Sequence, residues 1–174
     1  MSRTHMQAVL IIAIGILMPG TLFAAGITSA DRAFIEAAAY ASHTQIDGAR
    51  LAQKRAASSD VKSFAATMLE DHIRLGEELE KLAALKNVKI PTEPRLSQKA
   101  RLRLLGTYSG ASFDKRYVRE ICMDEHAQAV KLFRKAARDA DDREIRDLAG
   151  KLLPRLEHHL QMANTLSSDV ARER

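Results

Sequence analysis

Three of the six histidines, His72, His126 and His159, sit where chemistry is most plausible: each falls on an apolar stripe of helical spacing. Neutral imidazole is the commonest metal ligand and suits zinc, copper, iron or nickel. A methionine stands one helical turn from each of them: Met68, Met123 and Met162. Thioether ligands would tilt the choice toward copper. Asp71, Asp124 and Glu125 adjoin the histidines and could orient their rings as hydrogen-bond acceptors. The same pattern also describes core histidines bonded to a nearby carboxylate or carbonyl, with methionines as filler. His5 lies in the N-terminal segment, and His43 and His158 fall off the stripes.

A di-iron carboxylate site is disfavoured. Such sites in helical bundles use a glutamate from each of two helices and an E-x-x-H pair from each of two others. Leu69, Met123 and Leu156 stand three residues before the stripe histidines, and Gln45 occupies the central inward position of the first helix. No Gly-rich phosphate loop, nucleophile elbow or CxxC pair occurs.

The elements that must carry these residues are helices. Apolar spacing near 3.6 recurs through the chain after residue 26. A first helix is expected over 29–57, capped by Ser29, with the inward stripe Phe34, Ala38, Ala41, Gln45, Gly48, Ala52. Its small residues allow a neighbouring helix to approach closely. Ser58-Ser59-Asp60 makes a short turn with Asp60 as cap. A second helix over 61–86 carries Val61, Phe64, Met68, His72, Leu75, Leu79 and Leu82 inward. So short a turn makes the two antiparallel neighbours.

Pro91 and Pro94 interrupt the next stretch, which holds a short helix over 96–105 and a turn at Ser109-Gly110. That long connection suits a crossover between two hairpins. A third helix over 113–138, capped by Ser112, carries Val118, Cys122, His126, Ala129, Phe133 and Ala136. Asp141 and Glu144 open a fourth helix in the manner of a capping box. It runs to about Leu166 with an expected kink at Pro154. The fold class is therefore all-α, a four-helix bundle with a short extra helix between the second and third long helices. His72, His126 and Gln45 should share one level near the bundle's middle. His159 is displaced along the axis by roughly 6 Å, from the 1.5 Å rise per residue.

Residues 1–25 read as an export signal: Arg3 and His5, an apolar run from Ala8 to Met18, then Pro19-Gly20 and the small residues Ala24 and Ala25. The run is too short to span a bilayer, which needs about 20 apolar residues. A periplasmic location is expected, with membrane attachment only if that segment stays uncleaved. Residues 26–174 then form one domain of ordinary size. Its lack of Trp and wealth of Ala, Leu, Lys, Arg and Glu favour helix. Cys122, the only cysteine, has no intramolecular partner, so packing rather than a disulfide holds the domain.

Three blocks resemble a known family. They are Val61-Lys62-Ser63-Phe64-Ala65-Ala66-Thr67-Met68-Leu69-Glu70-Asp71-His72; Gly110-Ala111-Ser112-Phe113-Asp114-Lys115-Arg116-Tyr117 with His126; and Leu153-Pro154-Arg155-Leu156-Glu157-His158-His159-Leu160. With them the chain resembles the exported bacterial family known as domain of unknown function 4142, grouped with ferritin-like four-helix bundles. The resemblance implies a ferritin-like bundle in the periplasm or envelope, and no assigned activity. It also implies that His72, His126 and His159 occupy the family's recurrent histidine positions. Where relatives carry glutamate on the first helix this chain has Gln45, so a ligand role for that glutamate would be weakened or lost here.

Two functions stay open on these residues. One is a non-enzymatic exported bundle binding copper, zinc or iron through His72, His126 and His159. The other is an interaction module that docks an anionic envelope partner through the basic stretch Arg95, Lys99, Arg101, Arg103, Lys115, Arg116, Arg119. The net charge of +5 does not point to nucleic acid in an exported protein.

Overall fold

A computed structural model describes residues 26–172. Residues 1–25, on which the export reading rests, lie outside the described residues, as do 173 and 174. Every regular element among the described residues is helical. No helix among them is long and apolar enough to cross a membrane.

Helix α1 (Ser29–Arg55) is capped by Thr28, whose Oγ1 accepts the Asp31 N–H at 3.1 Å. Helix α2 (Ser59–Leu85) is capped by Ser58, which accepts the Asp60 N–H at 3.3 Å. Both caps lie upstream of the expected Ser29 and Asp60, because the cap is the last extended residue and those two already have helical neighbours. Two residues beyond helix α2, Asn87 with a φ of 54° turns the chain and lets the Val88 N–H reach the Ala83 carbonyl at 2.8 Å. Helix α3 (Leu96–Leu105) follows within the connection.

The third long helix begins at Gly110, with φ of +60°, three residues before the expected start. It is one run in three stretches: α4 (Gly110–Tyr117), a π-helical segment (Val118–Glu125) and α5 (His126–Asp139). Helix α6 (Arg143–Arg172) is capped by Asp142, which accepts from the Glu144 and Ile145 N–H groups, rather than by Asp141. It continues through Pro154 and past Leu166, where Val170 is still buried.

The π segment was not foreseen, yet its signal is in the sequence. Phe113, Tyr117, Ile121, Glu125, Ala129 and Phe133 are all buried, and so are Asp114, Val118, Cys122, His126 and Val130. Steps of four advance an α-helix by about 40° beyond a full turn, so five in a row would rotate off the core. The wider π turn keeps both rows facing inward.

Two buried aspartates lock the hairpins together reciprocally. Asp31, at the start of α1, accepts the Asp141 and Asp142 N–H groups of the α5–α6 turn. Asp114, at the start of the third helix, accepts the Ala57 and Ser58 N–H groups of the α1–α2 turn. The third helix therefore begins where α1 ends. The connection from α2 must then travel the length of the bundle, and it buries Val88 in one core cluster and Leu102 and Leu105 in the other. From Asp114 to the turn residue Ala140 is one residue longer than from Asp31 to Ala56, the addition that a π turn absorbs.

The core is split in two. One cluster holds Phe34, Leu75, Leu79, Phe133, Ile145 and Leu156; the other holds Val61, Met68, Phe113, Tyr117, Ile121 and Leu166. Between them, on every long helix, stands a buried polar residue: Ser42 and Gln45, His72, His126, and His159.

Candidate metal centre

The three histidines arrive from three helices. His72 follows one turn after the buried Met68 of α2, His126 opens α5 where the π segment ends, and His159 lies one turn after Leu156 of α6. All are at most 2% exposed. Ring centroids are 5.3 Å apart for His72 and His126, and 5.5 Å for each of the other pairs. The axial offset expected for His159 does not separate it from the others. One ring nitrogen from each histidine lies within 4.8 Å of those of the other two. An ion held at about 2.0–2.1 Å by each nitrogen needs them about 3.4 Å apart. The His72 and His126 Nε2 atoms already stand at 3.2 Å.

Hydrogen bonds identify which nitrogens are free. His159 Nε2 lies 2.8 Å from Asp71 Oδ2, and a carboxylate only accepts, so this nitrogen carries the proton. Its Nδ1 then holds a lone pair, and that atom is buried without a partner. His72 Nδ1 is likewise buried without a partner. An unsatisfied buried polar atom costs on the order of 1–3 kcal/mol. The His159 lone pair, set among two further imidazoles, suits a ligand to an electrophile better than a finished core.

The rings are neutral where a metal would need them neutral. Burial, then the neighbouring His126 and His159, hold His72 well below the usual imidazole range. Burial and His159 push His126 down to about 4, against the Ile121 and Cys122 carbonyls that face its ring. Burial also lowers His159, opposed by the Asp71 carboxylate.

Around the triad, the expected acceptors divide. Asp71 serves His159 across the α2–α6 seam rather than its own neighbour His72, and also accepts from Arg155 at 3.0 Å. Asp124 is exposed, and Glu125 turns away to pair with Arg101 of α3. Gln45 is buried beside the triad, with Nε2 3.0 Å from the Ile121 carbonyl and 3.1 Å from His126 Nδ1. Cys122 is buried in the second cluster beside Tyr117, and burial pushes the ionisation of its thiol up. Met68 is buried in that cluster, and Met123 and Met162 pack against it.

Much of the basic stretch is engaged within the chain. Lys99 pairs with Glu93, Arg101 with Glu125, and Arg116 and Arg119 with Glu120. Arg95 lies over the Tyr40 ring at 4.5 Å.

A family model described as "Domain of unknown function (DUF4142)" matches residues 18–166. Among solved structures, the chain is similar to a crystal structure of a DUF305 fragment from Deinococcus radiodurans. The TM-score is 0.70 at 17% identity, covering 84% of this chain and 99% of that one. At that identity the likeness concerns the helical fold alone. No curated protein matches the chain.

Proposed function

The chain belongs to the DUF4142 family, a domain of unknown function, and from that premise we propose that it is an exported protein that binds one transition-metal ion through His72, His126 and His159. The observation that carries this reading is the convergence of three buried imidazoles, with an unpartnered lone pair on His159 Nδ1. The scaffold is a ferritin-like four-helix bundle with a crossover connection, and residues 1–25 direct it to the periplasm. With an imidazole-only set, copper and zinc are favoured over iron, whose sites in such bundles draw on carboxylates. Three neutral ligands leave a further position for water or a small anion. Asp71 orients His159 from outside, as a carboxylate does for a metal-bound histidine. The role is read as binding rather than turnover, since among the described residues the side chains hydrogen-bonded to the triad from outside are Asp71 and Gln45.

The test is elemental analysis of protein purified from the periplasm, with copper and zinc titrations of the stripped protein. About one ion per chain is expected, lost in each of His72→Ala, His126→Ala and His159→Ala. A metal-free protein whose melting ignores both ions would overturn the reading.

A further inference from the structure

The three histidines are not equally ready to bind. His159 turns its lone pair on Nδ1 inward, since Asp71 takes its Nε2 proton. The state of His126 is decided by Gln45. The Gln45 amide nitrogen lies 3.0 Å from the Ile121 carbonyl oxygen, which only accepts, so that atom must be the NH2 group and not the oxygen. Its second proton points to His126 Nδ1 at 3.1 Å. An amide donating to Nδ1 requires the lone pair there, which places the imidazole proton on Nε2. That is the nitrogen facing His72 Nε2 at 3.2 Å. His126 then donates to His72, whose own proton moves to Nδ1, the atom that is buried without a partner.

We infer that Gln45 is a positioning residue that holds His126 in the tautomer with its proton directed into the triad, and so weakens metal binding there. This rests on the metal-binding reading for its consequence, but not for the tautomer. To accept an ion at His126, the proton must leave Nε2 and Nδ1 must gain one, with no net release. The Nδ1 proton has acceptors waiting, because the Ile121 and Cys122 carbonyls at the end of the π segment face the ring. Gln45 competes with that arrangement by offering a donor where a donor is needed from the ring. Simple rotation of the amide does not resolve the conflict, since it would set Gln45 Oε1 against the Ile121 oxygen. The centre is thus tuned toward giving up its ion, with an internal proton shift coupled to every loading event.

Two measurements on the purified protein test this. Nitrogen-15 NMR of the histidine side chains, in metal-free protein at neutral pH, reads the tautomers directly. His126 is expected as the Nε2–H form and His159 also as Nε2–H, with Nδ1 bare in both. His126 found as the Nδ1–H form overturns the inference whether or not any metal binds. The second measurement is zinc(II) affinity by competition with a chromophoric chelator, for the parent, Gln45→Leu and Gln45→Glu. Both variants remove the donor, and Glu also supplies an acceptor, so His126 should shift to Nδ1–H and affinity should tighten by about tenfold, the scale of outer partners of ligating histidines. The shifted tautomer with unchanged affinity refutes the tuning role. Failure of all three proteins to bind either zinc or copper overturns the metal-binding reading and the tuning with it, and leaves the NMR result to judge the tautomer.

Discussion

Replacing Asp71 by alanine separates a metal centre from a polar core. Its Oδ2 holds the His159 Nε2 proton at 2.8 Å, and its Oδ1 meets Arg155 at 3.0 Å. The second contact counts for little, because the Arg155 side chain is about half exposed (48%) and solvent screens it. The first is buried on the histidine side and charge-assisted, worth about 1.5–3 kcal/mol to the metal-free fold. For a domain of this size that lowers the melting temperature by roughly 3–10 °C. The larger effect should be on metal. Without the carboxylate, the proton of His159 is free to settle on Nδ1, the nitrogen that would bind. Losing such a partner costs about 10–100-fold in affinity, or about 1.4–2.7 kcal/mol. Calorimetric titration of stripped protein with copper(II) or zinc(II) measures it, alongside melting curves without metal. Arg155→Ala, which keeps the Asp71–His159 bond, should change affinity far less. In a His159→Ala background, Asp71→Ala should cost nothing further, since the two residues act through one ring. An Asp71→Ala protein that binds as tightly as the parent, or an equal loss in both backgrounds, would refute the reasoning.

Three other outcomes follow from the same geometry. The metal-free protein should weaken on mild acidification. The folded state holds His126 neutral to about 4, whereas the unfolded chain takes up its proton near 6.5. Stability is therefore whole above about pH 6.5 and falls toward pH 4, by about 3 kcal/mol from this residue alone. Urea midpoints across that range check it, and a flat profile would mean the ring is not shut away from water. Asp114→Ala strands the Ala57 and Ser58 N–H groups and should cost about 1–3 kcal/mol, read as a lower urea midpoint, with Asp31→Ala matching it at the opposite end. Gly48→Ala places a methyl carbon 2.8 Å from Ile121 Cγ2. The gain of about 1 kcal/mol in helix propensity should lose to overpacking of about 1–3 kcal/mol, and a more stable variant would show that Ile121 yields easily.

The helices were legible in the sequence because apolar spacing near 3.6 and Ser, Thr and Asp caps are local properties. The short helix over 96–105 could be placed for the same reason, bounded by Pro94 on one side and Gly106 on the other. The caps of α1 and α2 lie one and two residues before the expected Ser29 and Asp60, since Thr28 and Ser58 compete with equally good neighbours and only the extended backbone chooses between them. The histidines were recognisable as inward-facing for the same reason of period. That Asp31 and Asp114 are buried rather than ordinary first-turn acids could not be read locally, because their partners lie in turns far along the chain.

The sequence by itself determined an all-helical chain with three histidines on inward stripes, for helix formation and amphipathic faces depend on residues a turn or two apart. Tertiary structure alone decided that the rings meet, because rotation about each helix axis is set by packing against the others. It decided that Asp71 serves His159 rather than His72, and that Gln45 reaches His126 from a separate helix. Those pairings join residues on different helices, and only the docking of one helix against another brings their hydrogen-bonding atoms within 3.1 Å or less.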